Sequence, residues 1–358
     1  MNKEEIIKNF NPSSPGLANA TIFGLPFNEK QSEIVIIPVP WEVTVSYGSG
    51  AAKGPNAILD ASYQVDLLHE EYPELWKLGI FFGENPKKPQ KKSKKYRELA
   101  KPLIKALENG LDINSDKLLK NTLQEINDAC ATMVEQVKEK TLHWLYENKL
   151  PVLLGGDHST PLGYYQAIAT KYSAFGILHI DAHLDLRIAY EGFTFSHASV
   201  MYNSLQIPQV SKIVSVGIRD FCEEELMVCA THKNKISVFT NSKLKSEQFE
   251  GKTWQQQCDE IINSLPENVC ISFDIDGLNA LYCPNTGTPV PGGFSYEHAT
   301  YLITKLAESN KKIIGIDLVE VAPGKDDWDG NVGARLLFHL CGAFAKSKGL
   351  NVGKKILF

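Results

Sequence analysis

Six short aliphatic and β-branched runs punctuate the chain, at residues 34–38, 151–154, 176–180, 212–216, 269–273 and 312–316. Each is apolar almost throughout and polar only at its ends. Strands buried on both faces read this way, so the sheet they build is expected to be mostly parallel. Residues 121–148, 253–265, 295–309 and 330–346 instead carry apolar positions at helical spacing. Strands alternating with helices predict an α/β fold, a three-layer sandwich with helices on both sides of a central sheet. Residues 1–33 hold one short apolar stretch, 20–27, and read as an N-terminal extension, with residues 34–358 as a single domain.

Composition narrows the class. The 358 residues are 43% hydrophobic and 22% charged, enough to bury a large core. The formal charge of -5 is mild and gives no reason to expect a nucleic-acid partner. No apolar run approaches the length that spans a bilayer, and the first residues lack the long apolar core of a secretory signal. Seven scattered cysteines without a CxxC pair suit reduced thiols in a cytoplasmic protein. The lysine-rich segment 85–95, with two prolines, is expected to be a solvated loop ahead of a helix near Tyr96.

Acidic residues and histidines gather just after three of the buried runs. These clusters are Gly155-Gly-Asp-His-Ser-Thr160, His179-Ile-Asp-Ala-His-Leu-Asp185 and Ser272-Phe-Asp-Ile-Asp276. In extended chain alternate side chains share a direction, which would align Asp181, His183 and Asp185, and likewise Asp274 with Asp276. Ligands of open α/β sheets bind at the carboxyl ends of the strands, so all three clusters should converge on one crevice. Five carboxylates there (Asp157, Asp181, Asp185, Asp274, Asp276) would repel one another, and divalent cations relieve this. A donor set rich in carboxylate with imidazole suits Mn²⁺ ahead of Zn²⁺, and the surplus of carboxylates suggests two ions.

Taken in this order, GGDHS, DAHLD and SFDID resemble the signature motifs of the ureohydrolase family, which contains arginase, agmatinase, formimidoylglutamase and guanidine hydrolase. The likeness runs from about Ile34 to Ala345. It takes in Pro38-Val-Pro-Trp41, the glycine-rich run 48–55, Thr286-Gly-Thr-Pro289 and Asp317-Leu-Val-Glu-Val-Ala-Pro323. The resemblance implies an arginase/deacetylase-like fold, a single catalytic domain over 34–358 and a hydrolase that releases urea from a guanidino compound. It implies two Mn²⁺ per chain, with Ni²⁺ as the alternative. His158, Asp181, Asp185 and Asp274 would hold one ion, and Asp181, His183, Asp274 and Asp276 the other. The ions would share a water and lower its pKa until hydroxide, the nucleophile, exists near neutral pH. Glu320 would pair with the guanidinium, and His197 would protonate the leaving amine. His197, Glu320 and Asp185 are the catalytic candidates, and Glu320, His197 and Arg187 the substrate-binding ones. His179 is a candidate donor behind the ligands. A homo-oligomer, trimer or hexamer, is also implied.

Departures from the family pattern bear on the substrate. The loop 186–195 lacks the polar pattern with which arginases hold an amino-acid tail. Arg187 is reminiscent of formimidoylglutamases, whereas Ser196-His-Ala-Ser199 is nearer to the agmatinase type. The expected reaction is therefore agmatine to putrescine and urea, with guanidine hydrolase, arginase, guanidinobutyrase or formimidoylglutamase as alternatives. Trp41, Tyr47, Tyr190, Phe193 and Phe195 either line a pocket or pack in the core. Cys283 reads as a small buried group. Two rival classes are a non-catalytic guanidino- or metal-binding protein and a single-zinc deacylase. The complete ligand set argues against both.

Overall fold

The computed structural model describes residues 2–16, 21–83 and 87–357, with the side chains of 87–90 and 114 excepted. Its strands are β1 (Ile34–Val39), β2 (Ile80–Phe82), β3 (Leu150–Gly155), β4 (Phe175–Ile180), β5 (Val210–Ile218), β6 (Ile236–Thr240), β7 (Asn268–Asp274) and β8 (Lys312–Val319). They form one eight-stranded sheet in the order β2-β1-β3-β8-β7-β4-β5-β6, and every pairing is parallel. The helices are α1 (Lys3–Asn9), α2 (Gly54–Ser62), α3 (Lys87–Glu108), α4 (Lys117–Tyr146), α5 (Leu162–Ile168), α6 (Val200–Leu205), α7 (Glu223–Thr231), α8 (Asn241–Phe249), α9 (Trp254–Asn263), α10 (Tyr296–Glu308) and α11 (Trp328–Ser347).

Alternation along each strand divides the core in two. From β1, Ile34 and Ile36 join Ile58 of α2, Ile261 of α9, Leu302 of α10 and the buried face of α11. Ile37 and Val39 face the other way, toward Leu103 of α3, Met133 of α4, Leu162 of α5 and Met201 of α6. Helices on both faces explain why the runs are apolar throughout. Among the described residues no helix is long and apolar enough to cross a membrane.

The six expected strands and four expected helices are all present, and the structure adds the short edge strands β2 and β6. The segment ahead of β1 contributes Ile22, Phe23, Leu25 and Phe27 to the same core as α11, each at most 3% exposed; Ala20 lies outside the described residues. The lysine-rich segment is not a loop: α3 begins at Lys87. Pro89 falls in the first turn, where the missing N–H has no helical partner to lose, so the helix starts through it. Asn85 and Pro86 lie outside the described residues. Among the described side chains of the lysine run, Ser93 alone turns inward, and its Oγ accepts the Glu42 N–H at 2.8 Å.

Candidate active site

The chemistry-bearing clusters follow β3, β8, β7 and β4, four strands that are neighbours at the centre of the sheet although far apart in sequence. Their carboxyl ends face one crevice. Close backbone packing builds its floor. The loop after β3 is tied by Gly156 N–H to Val39 O and by Asp157 N–H to Trp41 O, both 2.8 Å. A Cβ on Gly156 would lie 1.9 Å from Trp41 O, so only glycine fits.

Six residues expected as metal ligands come together here. His158 Nδ1 lies 3.0 Å from Asp181 Oδ2, 3.0 Å from Asp185 Oδ2 and 3.2 Å from Asp274 Oδ2. His183 Nδ1 lies 3.1 Å from Asp276 Oδ2 and 3.4 Å from Asp181 Oδ1. Asp181 thus faces both histidines. All but His183 are buried.

The geometry that unites them is not the expected extended alternation. Strand β4 ends at Ile180, and Asp185 takes a left-handed backbone with φ of 53°. Strand β7 ends at Asp274, and Asp276 sits on a 3₁₀ turn, Ile275–Gly277. Carboxylates gripping the backbone shape both turns: Asp181 Oδ1 accepts the His183 N–H at 2.6 Å and Asp274 Oδ1 the Asp276 N–H at 2.8 Å. Each motif curls around its own first aspartate, which a sheet-face argument cannot foresee.

Asp157, counted among the five carboxylates, turns away from the cluster. Its Oδ1 accepts from Ser159 N and Oγ, and its Oδ2 from Val43 N, so it holds the loops together. Behind the ligands runs a buried polar row of which the sequence pointed only to His179. Ser215, His179, Ser272 and Asp317 face one another across β5, β4, β7 and β8 in direct register. His179 bonds Asp181 Oδ2 through Nε2 at 2.8 Å and Ser215 through Nδ1 at 3.1 Å. His158 Nε2 bonds Ser272 Oγ at 2.9 Å, Ser272 donates to Asp317 Oδ1 at 2.8 Å, and Tyr165 donates to Asp317 Oδ2 at 2.6 Å. Both nitrogens of His179 are engaged within the protein, so we place it as the support of Asp181, although it stands near enough to the cluster to ligate. Two further supports are Arg219, whose Nη2 donates to Asp276 O at 2.6 Å, and Glu225, which accepts the Leu186 N–H at 3.1 Å next to Asp185.

The electrostatics are those of a cation site. Burial and the charges of Asp276 and Asp181 push the Asp274 carboxyl well up, and burial with Asp181 raises Asp185. Burial also opposes ionisation of Asp181, but His179, His158 and His183 hold it well below the usual range. Burial works against charge on His183, yet Asp276 and Asp181 carry it to about 12. His158 Nδ1 is buried and has no hydrogen-bond partner, while three carboxylate oxygens surround it. Such an atom fits a metal ligand, and the oxygen-rich set with two imidazoles fits a borderline divalent ion such as Mn²⁺. The donor atoms form two groups sharing Asp181: one of His158, Asp181 and Asp185 beside His179, the other of Asp181, His183 and Asp276. Asp274 reaches the first through its contact with His158.

Glu320 lies beside this cluster, 7% exposed, with φ of 62°. Its Oε1 accepts the His158 N–H at 2.8 Å. Thr286 Oγ1 donates to its backbone oxygen at 2.8 Å. It makes no ion pair among the described residues, so it is not a surface cap. Burial, Asp274 and Asp157 push its carboxyl well up, the state that a guanidinium would reverse. Next to Oε2 stands Gly287, where a Cβ would be 3.7 Å from Oε2, and Gly48 packs on Gly287 so closely that its own Cβ would be 2.4 Å from Gly287 O.

His197 follows Ser196 on a 3₁₀ turn, its Nδ1 3.3 Å from Ser196 Oγ. Burial and the nearby His183 and His158 pull it down to about 3, so it is neutral at pH 7. Arg187 lies over the Tyr190 ring at 4.6 Å, and Tyr190 meets the His197 ring edge-on at 6.2 Å. Of the aromatic candidates, Trp41 and Phe193 are buried in the core and Phe195 packs against it, whereas Tyr47 is 84% exposed beside Gly48. Cys283 is buried, its Sγ directed at Ile275 O at 3.2 Å.

Comparison with known proteins agrees with this geometry. The Arginase family model matches residues 32–342, and the chain belongs to that family of ureohydrolases. It is 30% identical over 334 residues to the N(1)-aminopropylagmatine ureohydrolase of Thermus thermophilus, covering 92% of this chain and 96% of that protein. It is 29% identical over 303 residues to the agmatinase of Halalkalibacterium halodurans, covering 84% and 87%. The crystal structure of agmatine ureohydrolase of Thermoplasma volcanium superimposes with a TM-score of 0.68 at 21% identity, over 97% of this chain and 99% of that one. The arginase fold is thereby established, and the chain is a hydrolase of guanidino compounds.

Proposed function

We propose that this ureohydrolase cleaves agmatine, or an N-substituted agmatine, into urea and the corresponding amine on a pair of divalent metal ions held by His158, Asp181, His183, Asp185, Asp274 and Asp276. The observation that carries the metal reading is His158 Nδ1, buried and unpartnered among three carboxylate oxygens. The names of the relatives at 29–30% identity support the amine-tailed substrate.

When bound, two such ions supply a hydroxide nucleophile near neutral pH and stabilise developing negative charge. The protein's own part begins with Glu320. Its Oε1 is anchored on the His158 N–H, which leaves Oε2, beside Gly287, to pair with the planar guanidinium and orient its carbon. His197, neutral and with Nδ1 turned to Ser196, would take up a proton on Nε2 as the nucleophile adds and return it to the departing amine nitrogen. Asp181, which faces both His158 and His183, would belong to both ligand sets, and Asp274, which faces His158, would be the second shared carboxylate. Assembly into a trimer or hexamer is part of the proposal. Light scattering that shows only a 39.8 kDa species at micromolar concentration would reject that part.

The deciding experiment measures urea release from agmatine, N(1)-aminopropylagmatine, arginine, guanidinobutyrate, guanidine and formimidoylglutamate after loading with Mn²⁺ or Ni²⁺. Turnover highest on an amine-tailed compound is expected. Absence of urea from every guanidino compound, with metal content verified, would refute the reading.

A further inference from the structure

We propose that Glu42 is a positioning residue for the guanidinium grip: its side chain fixes the glycine-rich segment 48–54 against Gly287 and the residues after Glu320, and so sets where Glu320 meets the substrate. The inference rests on the reading of a guanidino substrate paired with Glu320, and it concerns a side chain that acts through that carboxylate rather than on the substrate.

Glu42 stands in the connection between β1 and α2 and is 6% exposed. Its backbone is fastened on both sides. Trp41 O accepts the Asp157 N–H at 2.8 Å, and the Val43 N–H donates to Asp157 Oδ2 at 3.3 Å, so the residues before and after Glu42 are tied to the one ahead of His158. The Glu42 N–H donates to Ser93 Oγ at 2.8 Å, and that hydroxyl donates back to Glu42 O at 3.2 Å, which joins the same stretch to α3. A side chain rooted in so fixed a backbone is a rigid anchor.

What it anchors is the segment ahead. Glu42 Oε2 accepts the Gly50 N–H at 2.7 Å and the Ala52 N–H at 3.1 Å. Gly50 has a φ of 143°, which glycine alone takes readily, and it opens the 3₁₀ turn Ala51–Lys53. Amides at the start of such a turn lack an acceptor of their own, so Glu42 caps it from a distance.

From the capped turn the segment reaches the surroundings of Glu320 at both of its ends. Upstream, the Gly48 N–H donates to Gly287 O at 3.2 Å, and Gly287 is the residue beside Glu320 Oε2. Thr286, next in the chain to Gly287, holds Glu320 O at 2.8 Å. Downstream, a Cβ on Gly50 would be 3.1 Å from Ala322 Cβ, and one on Gly54 would fall 2.2 Å from Val321 O, an approach that only glycine allows. The segment therefore presses on both sides of a residue whose own φ of 62° requires support from its surroundings. Without the two bonds to Oε2 the freedom of Gly50 returns, and Gly48 can part from Gly287. A grip misplaced by an ångström can cost about 100-fold in rate.

The test uses the full-length, manganese-loaded protein and agmatine. Glu42→Ala should lower kcat/KM by about tenfold or more with metal content unchanged. Glu42→Gln, whose amide oxygen can stand in for Oε2, should keep most of the activity. Glu42→Asp, one carbon shorter, should fall between them and replaces the alanine variant if that protein does not fold. In a Glu320→Gln background the loss on Glu42→Ala should shrink to less than about threefold, because the grip it serves is already gone. Equal losses in the two backgrounds, or a Glu42→Gln protein as impaired as Glu42→Ala, would overturn the proposal. Hydrogen exchange reads the tether without turnover: amides of residues 48–54 should exchange faster in Glu42→Ala than in wild type or Glu42→Gln, and unchanged exchange would overturn the proposal as well. A wild type inert toward every guanidino compound would sink the functional reading, while faster exchange in Glu42→Ala would still uphold the tether.

Discussion

Replacing Ser272 with alanine should weaken metal binding although Ser272 touches no metal position. Its hydroxyl is fully buried between His158 Nε2 at 2.9 Å and Asp317 Oδ1 at 2.8 Å. The hydroxyl has one hydrogen, and an ionised Asp317 can only accept it, so Ser272 must accept from His158. His158 then carries its proton on Nε2 and presents the Nδ1 lone pair to the three carboxylate-lined ligand position. Asp317 is itself kept ionisable by its surroundings: burial pushes its carboxyl to about 6, while His158, Tyr165 and Ser272 oppose the rise.

Alanine removes both hydrogen bonds and leaves a buried N–H and a buried carboxylate oxygen without partners, each costing about 1–3 kcal/mol. Part of this falls on folding with or without metal. The part felt by the metal is the loosened, less basic imidazole, and losing such a support typically costs roughly 10–100-fold in affinity, or about 1.4–2.7 kcal/mol. Two readouts separate the parts. Competition with a chromophoric chelator gives the Mn²⁺ affinity directly. Thermal unfolding with and without saturating Mn²⁺ gives the metal-induced rise in Tm, which should shrink as the affinity falls. A Ser272→Ala protein with wild-type Mn²⁺ affinity and a full metal-induced rise in Tm would show that the tautomer argument is wrong.

Three other outcomes follow from the same coordinates. Glu320→Gln keeps an amide oxygen for the His158 N–H but loses the charge facing the guanidinium, so kcat/KM should fall by about 2–5 kcal/mol in transition-state terms with both metals retained; metal loss on dialysis would mean that Glu320 is structural. Asp274→Asn and Asp181→Asn should each lower metal content at both positions, whereas His158→Asn should mainly empty one, and elemental analysis showing two ions retained in Asp274→Asn would refute the bridging role. His339 is buried and held down to about 3 by that burial and by His69, while a hydrogen bond to Thr300 O works against the drop. A base depressed in the folded state contributes stability that is present above its unfolded pKa of about 6.5 and is lost as pH falls toward 3. His339→Gln should therefore flatten the loss of Tm between pH 6.5 and 4, and an unchanged slope would assign the acid sensitivity elsewhere.

The parts legible in the sequence share a physical reason. Six strands announced themselves because a parallel sheet covered on both faces forces unbroken apolar runs, and the candidate metal ligands because carboxylates and imidazoles at strand ends are costly unless something binds them. What escaped notice lacks that signature. Strands β2 and β6 are at the edges of the sheet, where β2 has three residues and β6 is mostly only half-buried. The start of α3 was hidden by a lysine run and by Pro89, a helix breaker everywhere but in the first turn. Glu191 drew no reading from the sequence, and the fold shuts one of its oxygens away from solvent.

The polar row behind the ligands shows the limit most clearly. Of Ser215, His179, Ser272 and Asp317, the sequence pointed only to His179 as a donor behind the ligands, and nothing local tied the other three to it. They become one device only when β5, β4, β7 and β8 are laid side by side, an order that reverses and interleaves the chain and that no local pattern encodes. Because strands in register present opposing residues on the same face, one polar position per strand at one level is enough to brace both His158 and Asp181 from beneath. The ligands stand on loops that curl away from the sheet, while their supports stand in the ladder itself, where backbone hydrogen bonds fix their positions. That division gives the candidate metal ligands freedom to take the left-handed geometry seen at Asp185 and leaves orientation to the rigid layer below.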